Sequence, residues 1–217
     1  MKNLKDQFAA QVAQTRQAKP EFMQKVDALI EQARAAEVGA LATREGAAAP
    51  DFQLPDPQQR TVALRDLLSQ GPVVLMFYRG SWCPYCNLQL RALQSRLAEI
   101  HELGAQLVAI SPQMPDQSLT QVERDALEFV VLSDQDCRVA SDYGVAWEVP
   151  EPLLEHMRKD RKLDLVDING GNGSRLPIPA TFVVGSDGRV AWRSVDVDYR
   201  TRAEPDDVLA AVRALHR

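Results

Sequence analysis

The 217-residue chain has three cysteines, Cys83, Cys86 and Cys137, too few at this length for a disulfide-held scaffold. It has no long apolar run: the longest, Val73 to Tyr78, suits one buried strand and falls far short of a membrane span. It also lacks the clustered Lys and Arg that a nucleic-acid groove or an anionic membrane surface requires. Acidic residues outnumber basic ones 30 to 25, a formal net charge of -5. Met1 to Ala10 is polar and charged, without the apolar core of a signal peptide. The expectation is a cytoplasmic protein that engages neither nucleic acid nor membrane. Histidines are few (His101, His156 and His216) and show no ligand spacing. A single Cys-x-x-Cys cannot supply the four ligands of structural zinc, so no metal site and no cofactor are expected. In a reducing compartment a close cysteine pair is a working pair.

What is present reads as one globular domain with an appendage, since 45% of residues are hydrophobic and 25% charged. Residues 1–44 carry two apolar stripes at helical spacing. Leu4, Phe8 and Val12 form the first; Phe22, Val26, Leu29 and Ile30 form the second, after a hinge at Pro20. Such stripes pack on the body of the same chain or make a homodimer contact. The small, Pro-bounded link from Glu45 to Asp51 opens a main domain, residues 45–217. There strands and helices alternate. The spacing predicts strands over Val73–Tyr78, Leu107–Ile110 and Phe129–Leu132, and helices over Asn87–Leu103, Ser118–Leu127 and Arg138–Tyr143. A hairpin turning at Gly185–Gly188 and a helix from Pro205 to Leu215 close the chain. Gly144 to Leu176 reads as irregular and charged. The fold class is α/β, a central mixed sheet flanked by helices, with an N-terminal helical extension.

Ser81-Trp82-Cys83-Pro84-Tyr85-Cys86-Asn87 lies between the apolar strand and a long amphipathic helix. Two cysteines in the first turn of a helix can close a small disulfide ring with little backbone movement. The unpaired N–H groups and partial positive charge of the helix N-terminus favour thiolate over thiol. Pro84 suits that turn, where no N–H is needed. Trp82 and Tyr85 either shape the rim a substrate touches or pack around the motif. Cys137 is a buried filler or a resolving thiol, and Trp147 belongs to a satellite cluster or a lid. Pro179, just before a strand, marks a tight turn for which a cis bond is one option.

Trp82-Cys83-Pro84-Tyr85-Cys86 resembles the thioredoxin and glutaredoxin active site, and Ile178-Pro179-Ala180-Thr181 is similar to the cis-proline turn facing it there. The wider frame resembles peroxiredoxins of the alkyl hydroperoxide reductase and thiol-specific antioxidant superfamily: Ala49-Pro50-Asp51-Phe52, Phe77-Tyr78, Leu132-Ser133-Asp134 and the Thr181-to-Val190 hairpin. The resemblance implies a thioredoxin-like fold over roughly residues 45 to 215. Laid on the family's Pro-x-x-x-Thr-x-x-Cys, Arg79 stands for the proline, Cys83 for the threonine and Cys86 for the peroxidatic cysteine. The family's distant arginine falls at Pro179. With the threonine and arginine that stabilise a leaving oxygen both replaced, the resemblance implies a dithiol that reduces disulfides, Cys83 attacking as the more exposed, lower-pKa thiol and Cys86 resolving. The alternatives are a thiol peroxidase with Cys86 as nucleophile and Arg79 supplying charge, and a non-enzymatic redox sensor. Partners implied are a small-molecule or protein thiol/disulfide reductant and, for the peroxidase, a hydroperoxide.

Overall fold

The computed structural model describes residues 3–216 apart from 116, 119–121 and 123–125. Two N-terminal helices, α1 (Leu4–Ala18) and α2 (Pro20–Ala35), meet at the Pro20 hinge. A small antiparallel pair, β1 (Gln53–Pro55) and β2 (Thr61–Ala63), and the short α3 (Leu64–Leu68) lead into β3 (Val73–Phe77). Then come α4 (Pro84–Gln94), α5 (Leu97–Glu102), β4 (Gln106–Ser111), β5 (Val130–Ser133) and α6 (Arg138–Asp142). β6 (Ala146–Glu148), α7 (Glu151–Arg161), α8 (Leu165–Asn169) and β7 (Arg175–Pro177) follow, before β8 (Ala180–Val184), β9 (Val190–Val195) and α9 (Pro205–Ala214). The main sheet has the order β5-β4-β3-β8-β9, parallel from β5 to β3 and antiparallel from β3 to β9. The thioredoxin-like mixed sheet expected from the sequence is therefore present. No helix among the described residues is long and apolar enough to cross a membrane.

β3 is buried on both faces, and its period of two splits the core. Val73, Leu75 and Phe77 pack with Ile110, Tyr143, Phe182 and α2's Val26 and Ile30. Val74, Met76 and Tyr78 face the other way, with Cys83, Cys86, Leu90 and Leu93 of α4. The stripe of α1 joins this second layer: Leu4 and Phe8 are 2% and 5% exposed, and the Phe8 ring stands 5.8 Å from that of Tyr85. The appendage thus packs on the body, α1 on the cysteine-bearing face and α2 on the opposite one. Truncating a buried Phe to Ala costs ~3–5 kcal/mol. Phe8→Ala is expected to fall at the lower end, near ~3 kcal/mol, and to quicken alkylation of Cys83 beneath α1. Urea midpoints and labelling rates check both.

The structure departs from the sequence reading in three places. The helix expected over Asn87–Leu103 begins at Pro84 and breaks at Ser95, whose hydroxyl donates to the Ala92 carbonyl at 2.7 Å before Arg96 leaves helical geometry. The irregular segment Gly144–Leu176 holds two helices and a strand pair, β6 with β7. The Ile178–Pro179 bond is trans, as is every peptide bond among the described residues. The chain bends at Pro179 on its way from β7 into β8, where the sequence expects a turn. The helix expected over Ser118–Leu127 lies largely outside the described residues.

Candidate active site

β3 ends at Phe77, and Tyr78 extends the ladder by one bond to the Ile110 carbonyl at 2.9 Å. The chain then turns at Gly80, where φ is +138° and a Cβ would come within 2.6 Å of Trp82 Nε1. The loop is fixed from both sides. Ser81 N donates to Gln113 Oε1, and Asn87 Nδ2 donates to the Ser81 carbonyl at 2.8 Å. Cys83 lands on the N-cap of α4, with Pro84 opening the helix and Cys86 one turn in. Both cysteines are reduced and buried, 1% and 0% exposed. Cys83 lines a cleft of about 270 Å³, and Cys86 lies behind it.

Neither sulfur faces an apolar wall alone. Arg202, 8% exposed in the segment before α9, donates from Nη2 to Cys86 Sγ at 3.2 Å and reaches Cys83 Sγ at 3.9 Å. Its other donors go to Gln89 Oε1 at 3.2 Å (Nη1) and the Tyr199 carbonyl at 3.0 Å (Nε). Gln89 in turn donates to Thr181 Oγ1 at 3.4 Å. The segment carrying Arg202 is pinned by its neighbours: Arg200 forks onto Asp198 at 2.8 Å and reaches Asp27 of α2 at 2.7 Å. Among the described residues, no carboxylate lies within ion-pairing distance of Arg202. Its negative partner is sulfur.

Electrostatics divides the two thiols. Burial raises Cys83, and the hydrogen bond and charge of Cys86 raise it further, past what Arg79 and Arg202 offset, so its pKa stands well above the usual thiol range. Burial also opposes ionisation of Cys86. The Cys83 thiol donating to it, the Arg202 and Arg79 charges and the Arg79 backbone N–H outweigh burial, and its pKa stands well below that range. The lower pKa thus falls on Cys86, where the sequence reading had Cys83, because Cys83 is the donor of the hydrogen bond between them. Cys83 is still the cysteine that lines the cleft. Burial opposes the Arg202 cation as well, but the sulfur charges hold it protonated.

The remaining expected residues divide in two. Arg79, 7% exposed, lies between the rings of Trp82 (4.9 Å) and Tyr199 (4.4 Å), and its Nε has no hydrogen-bond partner. Trp82, Pro84 and Tyr85 line the cleft with it. Burial pushes the Tyr85 phenol up to about 12, and Thr15 of α1 hydrogen-bonds it. Pro179 stays outside the cleft, beside Gln89 and Arg202 under β8. Cys137 belongs to the core layer across the sheet from the pair. It sits between Asn172 Nδ2 (3.4 Å) and the Arg175 carbonyl (3.6 Å), with burial raising its pKa to about 12. Trp147 packs against Leu153 and Tyr199 rather than over the cysteines, and Leu153, His156 and Met157 of α7 line the cleft instead. Sequence reasoning missed Arg202 and Gln89. Gln89 lies three residues beyond Cys86 on the same helix face, a signal of proximity, but nothing near Arg202 in sequence points to a cysteine 116 residues away.

The AhpC/TSA family model matches residues 46–193. Over 102 residues the chain is 32% identical to peroxiredoxin Bcp of Escherichia coli (strain K12), a stretch covering 47% of this chain and 65% of that protein's length. It is 27% identical over 173 residues to a putative peroxiredoxin of Mycobacterium tuberculosis, covering 79% of this chain and 97% of the relative. The crystal structure of peroxidoxin BcpB from Mycobacterium tuberculosis matches with a TM-score of 0.62 at 26% identity, over 79% of this chain and 97% of that one. With a match across more than half its length, this chain belongs to the AhpC/TSA family.

Proposed function

We propose that this protein is a thiol peroxidase in which Cys86 attacks the hydroperoxide and Cys83 resolves the product. The observation that carries this reading is the 3.2 Å contact between the buried Arg202 guanidinium and Cys86 Sγ. The sequence reading preferred disulfide exchange because both donors of the family pattern were replaced. Arg202 supplies a cation from elsewhere in the chain, and the Cys83 S–H occupies the place of the threonine hydroxyl. The names of the two sequence relatives, both peroxiredoxins, support the same reading.

The Cys86 thiolate attacks the terminal peroxide oxygen, the O–O bond breaks, and an alkoxide leaves with the electron pair. Arg202 faces that developing charge in a water-poor site. The alkoxide takes a proton from Cys83 or solvent, giving an alcohol and a sulfenic acid on Cys86. Cys83, its proton given to the alkoxide or to solvent, then attacks the Cys86 sulfur; the S–O bond breaks, the departing hydroxide takes a proton from solvent and leaves as water, and the Cys83–Cys86 disulfide forms. Two external thiols reduce it. Such a cycle suits a compartment that keeps thiols reduced, the cytosol. Residues 45–217 would carry the chemistry, with residues 1–44 as its cover.

Hydroperoxide consumption in the presence of a dithiol tests the reading; its absence, with disulfide reduction intact, would return the protein to the disulfide-exchange assignment. Because the Cys86 pKa is depressed, the first turnover should hold its rate through neutral pH and fall only on acidification. Stability follows the same sign. The Cys86 contribution is full above the ordinary thiol pKa and is lost as pH falls through the depressed folded value. Stopped-flow rates and urea midpoints across pH check both.

A further inference from the structure

The cleft above Cys83 is walled by aromatic rings and lined by three cations, Lys19, Arg79 and Arg161. No carboxylate lines it among the described residues, although the chain carries five more acidic than basic groups. Arg79 is the unusual member: buried, stacked between two rings, unpartnered at Nε and paired with no carboxylate among the described residues. Once the cysteines are joined as a disulfide, the Cys86 thiolate no longer offsets its charge; a buried cation left without a counter-ion is costly, and an anionic group entering the cleft relieves that cost. Arg161 at the rim donates to the Trp82 carbonyl at 3.5 Å, and Lys19 joins α1 to α2 on the other side. Carboxylates appear only farther out, in a wider groove of about 980 Å³, where Glu21, Glu155 and Asp160 stand among Lys25 and Lys159.

Cys83 lines this cleft and Cys86 does not. Once the two are joined as a disulfide, a reductant coming down the cleft meets the sulfur of Cys83. Cys86, facing Arg202, is the sulfur placed to leave as an anion. The inner volume, about 270 Å³, is that of a small-molecule site. We propose that the cleft is the entry site of the reductant, and that the reductant is a small thiol bearing a carboxylate, held by Arg79 with Lys19 and Arg161. The inference deepens the peroxidase reading by naming the class of thiol that closes its cycle. The thiolate attacks Cys83 Sγ, the Cys83–Cys86 bond breaks, and Cys86 leaves as thiolate. A second thiolate attacks the mixed disulfide, releasing Cys83, which takes up a proton, and the external disulfide. Two thiols are oxidised for one protein disulfide reduced.

The test uses full-length protein oxidised with diamide, so that it holds whether or not the protein reduces peroxides. Re-reduction is followed with 3-mercaptopropionate, 2-mercaptoethanol and cysteamine, and each rate is expressed per thiolate. The anionic thiol should exceed the neutral one by about ten-fold or more at low salt, with the cationic one slowest. Added salt should narrow the ratio. Arg79→Met should bring the ratio near one, and Lys19→Gln should lower it part-way. The ratio is internal to each protein, so a general change in disulfide reactivity does not move it. Equal per-thiolate rates for the three thiols, or a ratio unchanged in both variants, would overturn the proposal. Selective re-reduction with no peroxide turnover would overturn the peroxidase reading and leave this one standing.

Discussion

Arg202→Met should slow the reaction of the reduced protein with hydroperoxide by about 10²–10³-fold, the usual cost of losing one preorganised donor to a developing oxyanion. The same substitution removes the nearest cation from Cys86, so the midpoint of its ionisation should move toward the ordinary thiol value. Both effects come from one contact, Nη2 to Sγ at 3.2 Å. Arg202→Lys should recover only part of the rate. An ammonium is a point charge and cannot hold Gln89 Oε1, the Tyr199 carbonyl and the sulfur together in one plane. Stopped-flow measurement at saturating pH separates the two losses, because the pKa shift disappears there and the missing donor does not. A wild-type rate in Arg202→Met at that pH would mean the leaving oxygen is stabilised elsewhere, by Arg79 first of all.

Cys86→Ser should lose the first turnover almost entirely, on the order of 10⁴–10⁶-fold, as removal of a nucleophile does in enzymes that act through one. Cys83→Ser should behave differently. Its hydroxyl still donates toward Cys86, so one equivalent of peroxide is consumed in a burst. Cys86 then stops as a sulfenic acid for want of an intramolecular partner. Mass spectrometry with a sulfenic-acid trap reads that product. Under the disulfide-exchange reading the pattern inverts, with Cys83→Ser the dead variant and Cys86→Ser trapping a mixed disulfide.

Much of the scaffold was legible because its segments are locally consistent. Val73–Phe77 is apolar at every position, α1 and α2 carry single stripes broken by Pro20, and Pro205 with Asp206 and Asp207 marks the start of the last helix. The placement of Cys83 and Cys86 at a strand-to-helix junction was legible for the same reason. What escaped depends on contacts distant in sequence. α7 buries only Leu153, Leu154 and Met157 amid charges, so its pattern is faint, and β6 pairs with β7 across that helix. The assignment of which thiol ionises failed for a related reason. Helix-terminus charge favours both cysteines, and the division between them comes from a hydrogen bond from Cys83 to Cys86 and a guanidinium brought in by the segment after β9. Because β9 pairs with β8, and β8 with β3, that segment returns beside the start of α4. No local pattern around Thr201-Arg202-Ala203 carries that information.

The measurement that bears most directly on the account is the rate constant for alkylation of each cysteine in the reduced wild-type protein as a function of pH, read peptide by peptide with a small neutral reagent in excess. Scaled to its own high-pH plateau, each rate profile has its midpoint at the ionisation of that sulfur, because access sets the plateau and thiolate fraction sets the shape. The account predicts that Cys86 reaches its midpoint first, well on the acid side of an ordinary thiol, and that Cys83 follows only on the alkaline side. A Cys83 midpoint below that of Cys86 would contradict it.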